Sequence, residues 1–527
     1  MRWVAAILVA VLLCPAAVRA QTAGPAALDL TWSTDGPLAN VRVVPRRQGE
    51  IRIDVRGREV LLRFGGPISE PDFDVLRREL PRFVESVGAG FDTLLLVAAP
   101  GTTLAAQRDG AGVVVAIRIG EDARVPDDPD DAIVTERAER RLERLRAALE
   151  SQTGQVAVAR GRLSALAAAD PADGETLAQL GGLEQQIGRN RRAAELMDRA
   201  VAADPSNADF LAARAALARD RAAFVRVEPE YRRTSAGEKR YQLGLMAEVP
   251  VTPAWRLTAS FDQAYVDSPS VRRPAGAVDR FIGMRQRGAV GLAHEGEAGT
   301  RTHIQLFANP RAPGAGIVRE YLFDESRLFA GIEIARPYWD FTESLVADGT
   351  RDRAYVQYAQ PWLFGLSARA RLAANRYGMP GLADAARSAS ADGELRLPLD
   401  GVARGASIAY VFEGEYPWRI SSRDDPSNVG TQFRPVPLRY REVHGLLAGY
   451  SLDWQRTFGT ALPLVADLSA GPAYDRYGGR GGPLVGASLS WIDDGAFSGG
   501  LSTGYGRGVG RDASEYVSFG GFARWRM

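Results

Sequence analysis

Cysteine occurs once in the 527 residues, at Cys14, and histidine three times, at His294, His303 and His444. So sparse a set excludes zinc fingers, iron–sulfur clusters and His-rich metal centres, and no metal or cofactor site is expected. Charge of one sign is missing as well: 65 basic residues stand against 64 acidic ones. That balance leaves neither the basic footprint of a nucleic-acid binder nor an acidic tail. Beyond the first 20 residues there is no apolar run of about 18 or more, so no membrane-spanning helix is expected.

The long apolar run that does occur lies at the start. Arg2 precedes the segment Trp3 to Cys14, and Pro15 and small residues lead to Val18-Arg19-Ala20. This is the form of a secretory signal over 1–20. Leu13 stands where lipoprotein processing needs a small residue, so Cys14 is not expected to carry lipid. Removal of the signal takes the cysteine with it, and with it any disulfide or thiol nucleophile. An exported chain without a spanning helix is either soluble or a transmembrane β-barrel.

Three textures follow. Residues 27–120 alternate like strands, as in Ile51-Arg52-Ile53-Asp54-Val55. Phe73, Leu76, Leu80, Phe83 and Val84 interrupt them at helical spacing, which predicts a small α+β domain. The acidic, proline-containing stretch 121–131 reads as a linker. Residues 132–221 change to Ala, Leu, Arg and Glu with a 3.6-residue period. Within them Asp170-Pro171 recurs as Asp204-Pro205 and Gly154 as Gly188, each 34 residues later.

That spacing resembles tetratricopeptide repeats. The unit from Gly174 to Asn207 matches the pattern at Leu177, Leu180 and Gly181 in a first helix and at Ala193, Met197, Ala200 and Pro205 in a second. Gly181 and Ala193 would let the helices approach closely, Leu and Met would fill the seam, and the proline would end the second helix. The preceding unit matches in its second helix, at Ala159, Leu163, Leu166 and Pro171, and a third stops near Arg221. An array this short is a docking surface or a spacer, not an enzyme.

From 222 to 527 short alternating segments rich in Gly, Tyr, Trp and Arg take over. Trp255, Leu257, Ala259 and Phe261 oppose Arg256, Thr258, Ser260 and Asp262, and Val485, Ala487, Leu489 and Trp491 oppose Gly486, Ser488 and Ser490. A period of two over about ten residues, apolar on one face and polar on the other, is what an outer-membrane strand requires. Sixteen such strands can be counted, predicting an antiparallel transmembrane barrel. Short gaps (250–253, 296–300, 324–326, 361–363, 400–404, 458–461 and 493–495) alternate with long ones (266–280, 338–350, 376–390 and 416–440). Short periplasmic turns and long outside loops give this asymmetry. The stretch 416–440, with Pro417, Pro426, Pro435 and Pro437, is expected to be an exposed outside loop able to fold over the pore.

The order of signal, helical repeats and C-terminal barrel resembles the outer-membrane exopolysaccharide exporters of the Pel, poly-N-acetylglucosamine and cellulose systems. The stretch Pro337-Tyr338-Trp339 followed by Gly349-Thr350-Arg351-Asp352-Arg353 looks most like the Pel-type barrel. The chain departs from that family in its few repeats and in the extra domain at 27–120. The resemblance implies an outer-membrane channel for a polysaccharide, with lipid around it. It also implies synthesis or modification partners in the periplasm or inner membrane. A general solute porin and a barrel-anchored envelope scaffold are the alternatives.

A sixteen-strand barrel is too wide for its side chains to fill and encloses water. The lumen face inferred from alternation carries Glu228, Glu230, Asp262, Glu333, Glu413, Glu415, Asp453 and Asp467 against Arg226, Arg256, Arg369, Arg371 and Arg396. An acidic majority would suit a cationic amino-sugar polymer, whereas mutual ion pairs would only stiffen the wall. No motif makes His303 or His444 a catalytic base, and no enzyme activity is expected.

Overall fold

The computed structural model describes residues 26–46, 51–65, 68–69, 74–90, 92–120, 129–296, 299–308, 310, 313–324, 326–361, 366–399, 403–425, 428, 430–458, 462–492, 496–509 and 515–527. The signal, residues 121–128 of the linker, Phe73, and all or part of the 296–300, 324–326, 361–363, 400–404, 458–461 and 493–495 turns lie outside these. The chain divides into two compact units, residues 1–169 and 170–527. The stretch 132–221 is therefore shared between them.

The first unit is an α+β structure. β1 (Ala26–Asp35), β2 (Leu38–Pro45), β3 (Ile51–Arg56), β4 (Glu59–Phe64) and β5 (Ile68–Ser69) are followed by the short α1 (Asp74–Glu79). Then come β6 (Val84–Ala89), β7 (Thr93–Ala98), β8 (Thr102–Asp109) and β9 (Gly112–Ile119). They form a five-stranded sheet in the order β5-β1-β2-β9-β8 and a four-stranded sheet in the order β3-β4-β7-β6. One core joins the two, with Val41, Val43, Val60, Leu62, Leu94, Leu96, Val115 and Ile117 buried in it, and Leu76 and Leu80 cover it from the helical segment. The other face of β4 and β7 presents Leu61, Leu95 and Val97 to Leu142 and Leu145 of α2 (Pro129–Gln152). Gly88 leaves room for this: a Cβ there would lie 2.0 Å from Leu142 Cδ1. α3 (Val156–Ala169) pairs with α2, and Arg162 bridges Glu143 and Glu150 across the hairpin.

The second unit opens with α4 (Gly174–Gln186), α5 (Asn190–Ala203) and α6 (Ala208–Asp220). Asp173 and Asn207 cap α4 and α6 by accepting hydrogen bonds from backbone N–H groups of the first turn, the role short polar side chains fill at that position. Then follow β10 (Phe224–Thr234), β11 (Lys239–Pro250), β12 (Trp255–Arg272), β13 (Val278–Glu295), β14 (Thr300–Ala308), β15 (Pro313–Leu322) and β16 (Arg327–Pro337). After α7 (Thr342–Val346) come β17 (Thr350–Pro361), β18 (Ser367–Met379), β19 (Leu382–Pro398) and β20 (Ala406–Ile420). A small hairpin, β21 (Arg423–Asp424) with β22 (Gln432–Phe433), precedes β23 (Arg441–Asp453) and α8 (Trp454–Phe458). β24 (Leu464–Asp475), β25 (Arg480–Ile492), β26 (Phe497–Gly506) and β27 (Tyr516–Arg526) complete the set.

Omitting the hairpin β21–β22, these sixteen strands pair in chain order and close into an antiparallel barrel where β27 meets β10. Closure leaves no edge strand, so the backbone of the wall pairs between neighbouring strands all round the ring. Among the described residues no helix is long and apolar enough to cross a membrane.

Two of the long gaps expected from the sequence are strand instead. β12 and β13 leave only 273–277 between them, and β18 and β19 only Pro380 and Gly381. Polar residues there do not signal a loop, because the hairpins rise beyond the apolar band, where both faces meet water or other loops. Gly381 takes a φ of 71°, the left-handed conformation a tight turn needs.

The outer surface is apolar in a band. Leu243, Leu245, Leu257, Val290, Leu292, Ile304 and Leu306 are among the exposed large side chains. Tyr231, Tyr241 and Tyr265 stack at one border of the band, and Trp255 with His294 and Phe497 with Trp525 at the other. Tyr265 and Trp255 are ten positions apart on β12. At about 3.4 Å per residue and a tilt of about 40°, that is a band ~26 Å tall.

Candidate functional site

The interior begins with strand parity. On β10 the odd residues Val227 and Tyr231 face outward, so Arg226, Glu228, Glu230 and Arg232 face the lumen, and the register with β11 sets Arg240 opposite Arg232. The same alternation on β17 and β18 turns the odd residues Arg351, Arg353, Arg369 and Arg371 inward.

A loop then occupies part of the space these strands enclose. Residues 338–349, with α7 in their middle, fold into the barrel rather than outward. Trp339, Leu345 and Val346 pack against Ala264, Val266, Val271 and Phe281 of β12 and β13. Tyr338, Phe341 and Ala347 pack against Tyr377, Met379, Ala385 and Ala386 of β18 and β19. Apolar contact on both sides holds the loop across the lumen. Arg240 donates to the Trp339 carbonyl at 3.1 Å, Arg285 to the Val346 carbonyl at 2.6 Å, and the Arg287 guanidinium lies 4.3 Å from the Trp339 ring centre. Asp348 leaves the loop with a φ of 54°, a conformation Asp tolerates better than most residues.

The stretch 421–440 adds a second cover at the same end. Val436 and Leu438 join the cluster around Tyr338, Arg272 pairs with Asp425 at 2.9 Å, and Arg423 donates to the Pro274 carbonyl at 3.0 Å. Starting between β20 and β23, it reaches the β12–β13 hairpin on the far side of the ring.

Below these covers lies a cavity of about 780 Å³. Its wall holds Arg232, Arg240, Arg351, Arg353, Arg369, Arg371 and Arg441 against Glu230, Asp340, Asp392, Glu394, Glu413 and Glu415. A second cavity of about 540 Å³ is lined by Glu394, Arg396, Ser407, Ser451, Asp467 and Ser488, among others.

The residues singled out from the sequence are distributed over this interior. Glu230, Arg369, Arg371, Glu413 and Glu415 meet in the larger cavity, and Arg396 and Asp467 in the smaller. Glu228 pairs with Arg226 at 2.6 Å, Asp262 with Arg287 at 2.8 Å, and the buried Glu333 with Arg336. Asp453 ends β23 on the face that Ser451 turns to the smaller cavity. Arg256 stands apart, pairing with Glu248 and donating to the Arg221 carbonyl at 3.0 Å where the helices join the barrel. The acidic majority anticipated for the lumen does not hold in the larger cavity, where seven arginines face six carboxylates.

Arg232 and Arg240 were missed by a reading confined to strand centres, although continuing the 226, 228, 230 alternation by one step reaches Arg232. Trp339 and Asp340 could not be placed from alternation, since they sit in a loop. The signal there was composition: Tyr338, Trp339 and Phe341 are too apolar for a loop in water. His303 accepts or donates a hydrogen bond with Thr258 at 3.0 Å inside the barrel, and His444 lies between Tyr410, at 2.7 Å, and Glu442, at 3.0 Å.

The helices dock on the end of the barrel that carries the short turns. Arg189 donates to the Leu322 carbonyl at 3.0 Å, Arg301 to that of Gly188 at 2.8 Å, and Arg221 to that of Pro253. The backbone N–H of Arg191 donates to Glu295 at 2.8 Å. Within the array Leu177, Leu180, Ala193, Met197 and Ala200 are buried, and Pro205 follows the end of α5. A Cβ on Gly181 would come within 3.4 Å of the Ala193 carbonyl.

No family model matches the sequence, and no curated protein matches it. Solved structures are similar over part of the chain. A bacterial polysaccharide outer membrane secretin is 14% identical with a TM-score of 0.40, over 58% of this chain and 99% of that one. OccAB3 of Acinetobacter baumannii is 9% identical with a TM-score of 0.34, over 58% and 99%. OccK5 (OpdH) of Pseudomonas aeruginosa is 10% identical with a TM-score of 0.33, over 58% and 97%. At such scores and identities the likeness says nothing about what this barrel carries.

Proposed function

We propose that the protein is an outer-membrane channel that exports a secreted polysaccharide, with its helices on the periplasmic side docking the machinery that makes or modifies the polymer. The observation that carries this reading is the closed sixteen-strand barrel, apolar outside over a band of membrane height and charged inside. An apolar belt with aromatic borders is stable in lipid and not in water. Paired charges along a wet lumen offer many weak contacts that hold and release a passing chain. The short-turn end, where both the start of β10 and the C-terminus lie, faces the periplasm in this reading. The helices clamped there favour export over passive diffusion, since a diffusion pore has no use for a docking arm.

A general solute porin is the second reading, and one observation favours it. Residues 338–349 cross the lumen and leave a space of about 780 Å³, the size of a small solute rather than of a moving polymer. Two measurements divide the readings. In a deletion strain, loss of surface glycan with unchanged small-solute uptake supports export, whereas intact glycan with reduced uptake supports the porin. Recovery of the mature protein in the soluble fraction after membranes are pelleted would end both.

A further inference from the structure

The larger cavity holds more cationic charge than its own carboxylates neutralise. Asp392 is engaged by Arg371 at 2.7 Å, Asp340 by Arg351 at 3.7 Å, Glu394 by Arg369 at 3.7 Å and by Arg396 at 2.9 Å, and Glu413 by Arg441. Glu415 accepts hydrogen bonds from Tyr377, at 2.9 Å, and Ser388. Among the cavity's described carboxylates, Glu230 and Glu415 have no ion pair within 4.0 Å, and three arginines stand against these two. On the other side of the ledger Arg232, Arg240 and Arg353 have no carboxylate within that distance among the described residues. The Nε of each is buried without a hydrogen-bond partner.

Their placement sharpens the point. Arg232 and Arg240 are direct cross-strand neighbours on β10 and β11. Like charges in that position destabilise a sheet. Arg353 lies on β17 with Arg351 two residues before it on the same face, and β17 is eighth in a ring where β10 is first, so the two groups stand on opposite walls. Arg240 has the Trp339 carbonyl as a partner, and Arg232 and Arg353 lie over the rings of Tyr516 and Tyr355, but none of the three half-buried guanidinium groups meets a carboxylate, the partner their planar fork fits best.

We propose that this cavity is a binding site for the carboxylate groups of an acidic saccharide. Arg232 and Arg240 hold it from one wall and Arg353 from the other, while Trp339 closes the space above. The proposal rests on the channel reading and gives it a substrate class opposite in charge to the cationic polymer an acidic lumen would suit.

The test uses the purified full chain in detergent, titrated calorimetrically with trigalacturonate, maltotriose, chitosan trimer and inorganic phosphate. Trigalacturonate should bind at least tenfold tighter than the other three. The double variant Arg232→Gln/Arg353→Gln, checked for heat-modifiable migration as a sign of a folded barrel, should lose that tenfold. Glu230→Gln should bind trigalacturonate more tightly than the unaltered chain. Equal binding of acid and neutral trisaccharides, preference for chitosan, phosphate matching trigalacturonate, or no binding would each overturn the proposal. Planar-bilayer recordings separate the two layers of the argument. A conducting barrel that trigalacturonate blocks no better than maltotriose sinks the site and leaves the channel, whereas a non-conducting barrel that still binds trigalacturonate sinks the channel and leaves the site.

Discussion

The helices before and after residue 170 share a composition and a 34-residue spacing, yet they belong to different structures. α2 and α3 are part of the first unit: Leu142 and Leu145 lie on the apolar face of β4 and β7, and Arg141 pairs with Glu59 at 2.9 Å. α4 to α6 are part of the second, fixed to the barrel rim by Arg189, Arg191 and Arg221 through backbone carbonyls and a carboxylate. One group is held by burial of leucines and the other by directional hydrogen bonds from arginines. A repeat in the sequence thus describes the local helical hairpin and leaves its attachment open.

That contrast can be broken by substitution. The largest effect is expected from Ala193→Arg. Its side chain is fully buried in the α4–α5 seam, so the change overpacks the seam and buries a charge, at a cost of about 3–5 kcal/mol. Limited proteolysis should cut α4 to α6 while the barrel keeps its heat-modifiable migration and α2 and α3 remain resistant. Should the α2–α3 hairpin open as well, the two helical groups would be one cooperative array after all.

Leu142→Asp is the reciprocal change. Placing a carboxylate against Leu61, Leu95 and Val97 should cost about 2–3 kcal/mol and release α2 from the sheet. Hydrogen exchange should rise along α2 and stay unchanged in α4 to α6. Arg221→Ala removes the bonds to the Asn190 and Pro253 carbonyls, at about 1–3 kcal/mol, and should speed exchange at the rim without unfolding either helical group.

The smallest effect concerns pH. Burial works against the Glu143 carboxylate, but hydrogen bonds from Arg162 and Arg146 outweigh it and hold its pKa below the usual range. A carboxyl depressed on folding contributes stability that is complete above its unfolded pKa of about 4.3 and is lost as pH falls through the lower folded value. Glu143→Gln should therefore flatten the acid limb of the α2–α3 melting profile and leave α4 to α6 unmoved.

Much of the barrel was legible because lipid imposes a strict code. A strand with hydrocarbon on one side and water on the other must alternate, and Trp255 to Asp262 does so without exception. Strand ends were not legible in the same way. Beyond the lipid the code lapses, which is why the β12–β13 and β18–β19 hairpins run through stretches expected to be loops. The lumen face followed from the same alternation, and so Glu230, Arg369, Arg371, Glu413 and Glu415 were found before their meeting place was known.

What the sequence determined by itself was whatever depends on near neighbours in the chain: the parity of each strand and the close approach allowed by Gly181. Tertiary structure decided what depends on closure. Whether Arg232 and Arg353 line one cavity depends on which strands the ring brings opposite each other, and whether residues 338–349 lie in water or across the lumen depends on apolar walls nearly 80 residues away at Ala264. Alternation is a local consequence of the solvent on each face. Charge balance in a cavity is a sum over all its walls, and no single segment of the chain contains that sum.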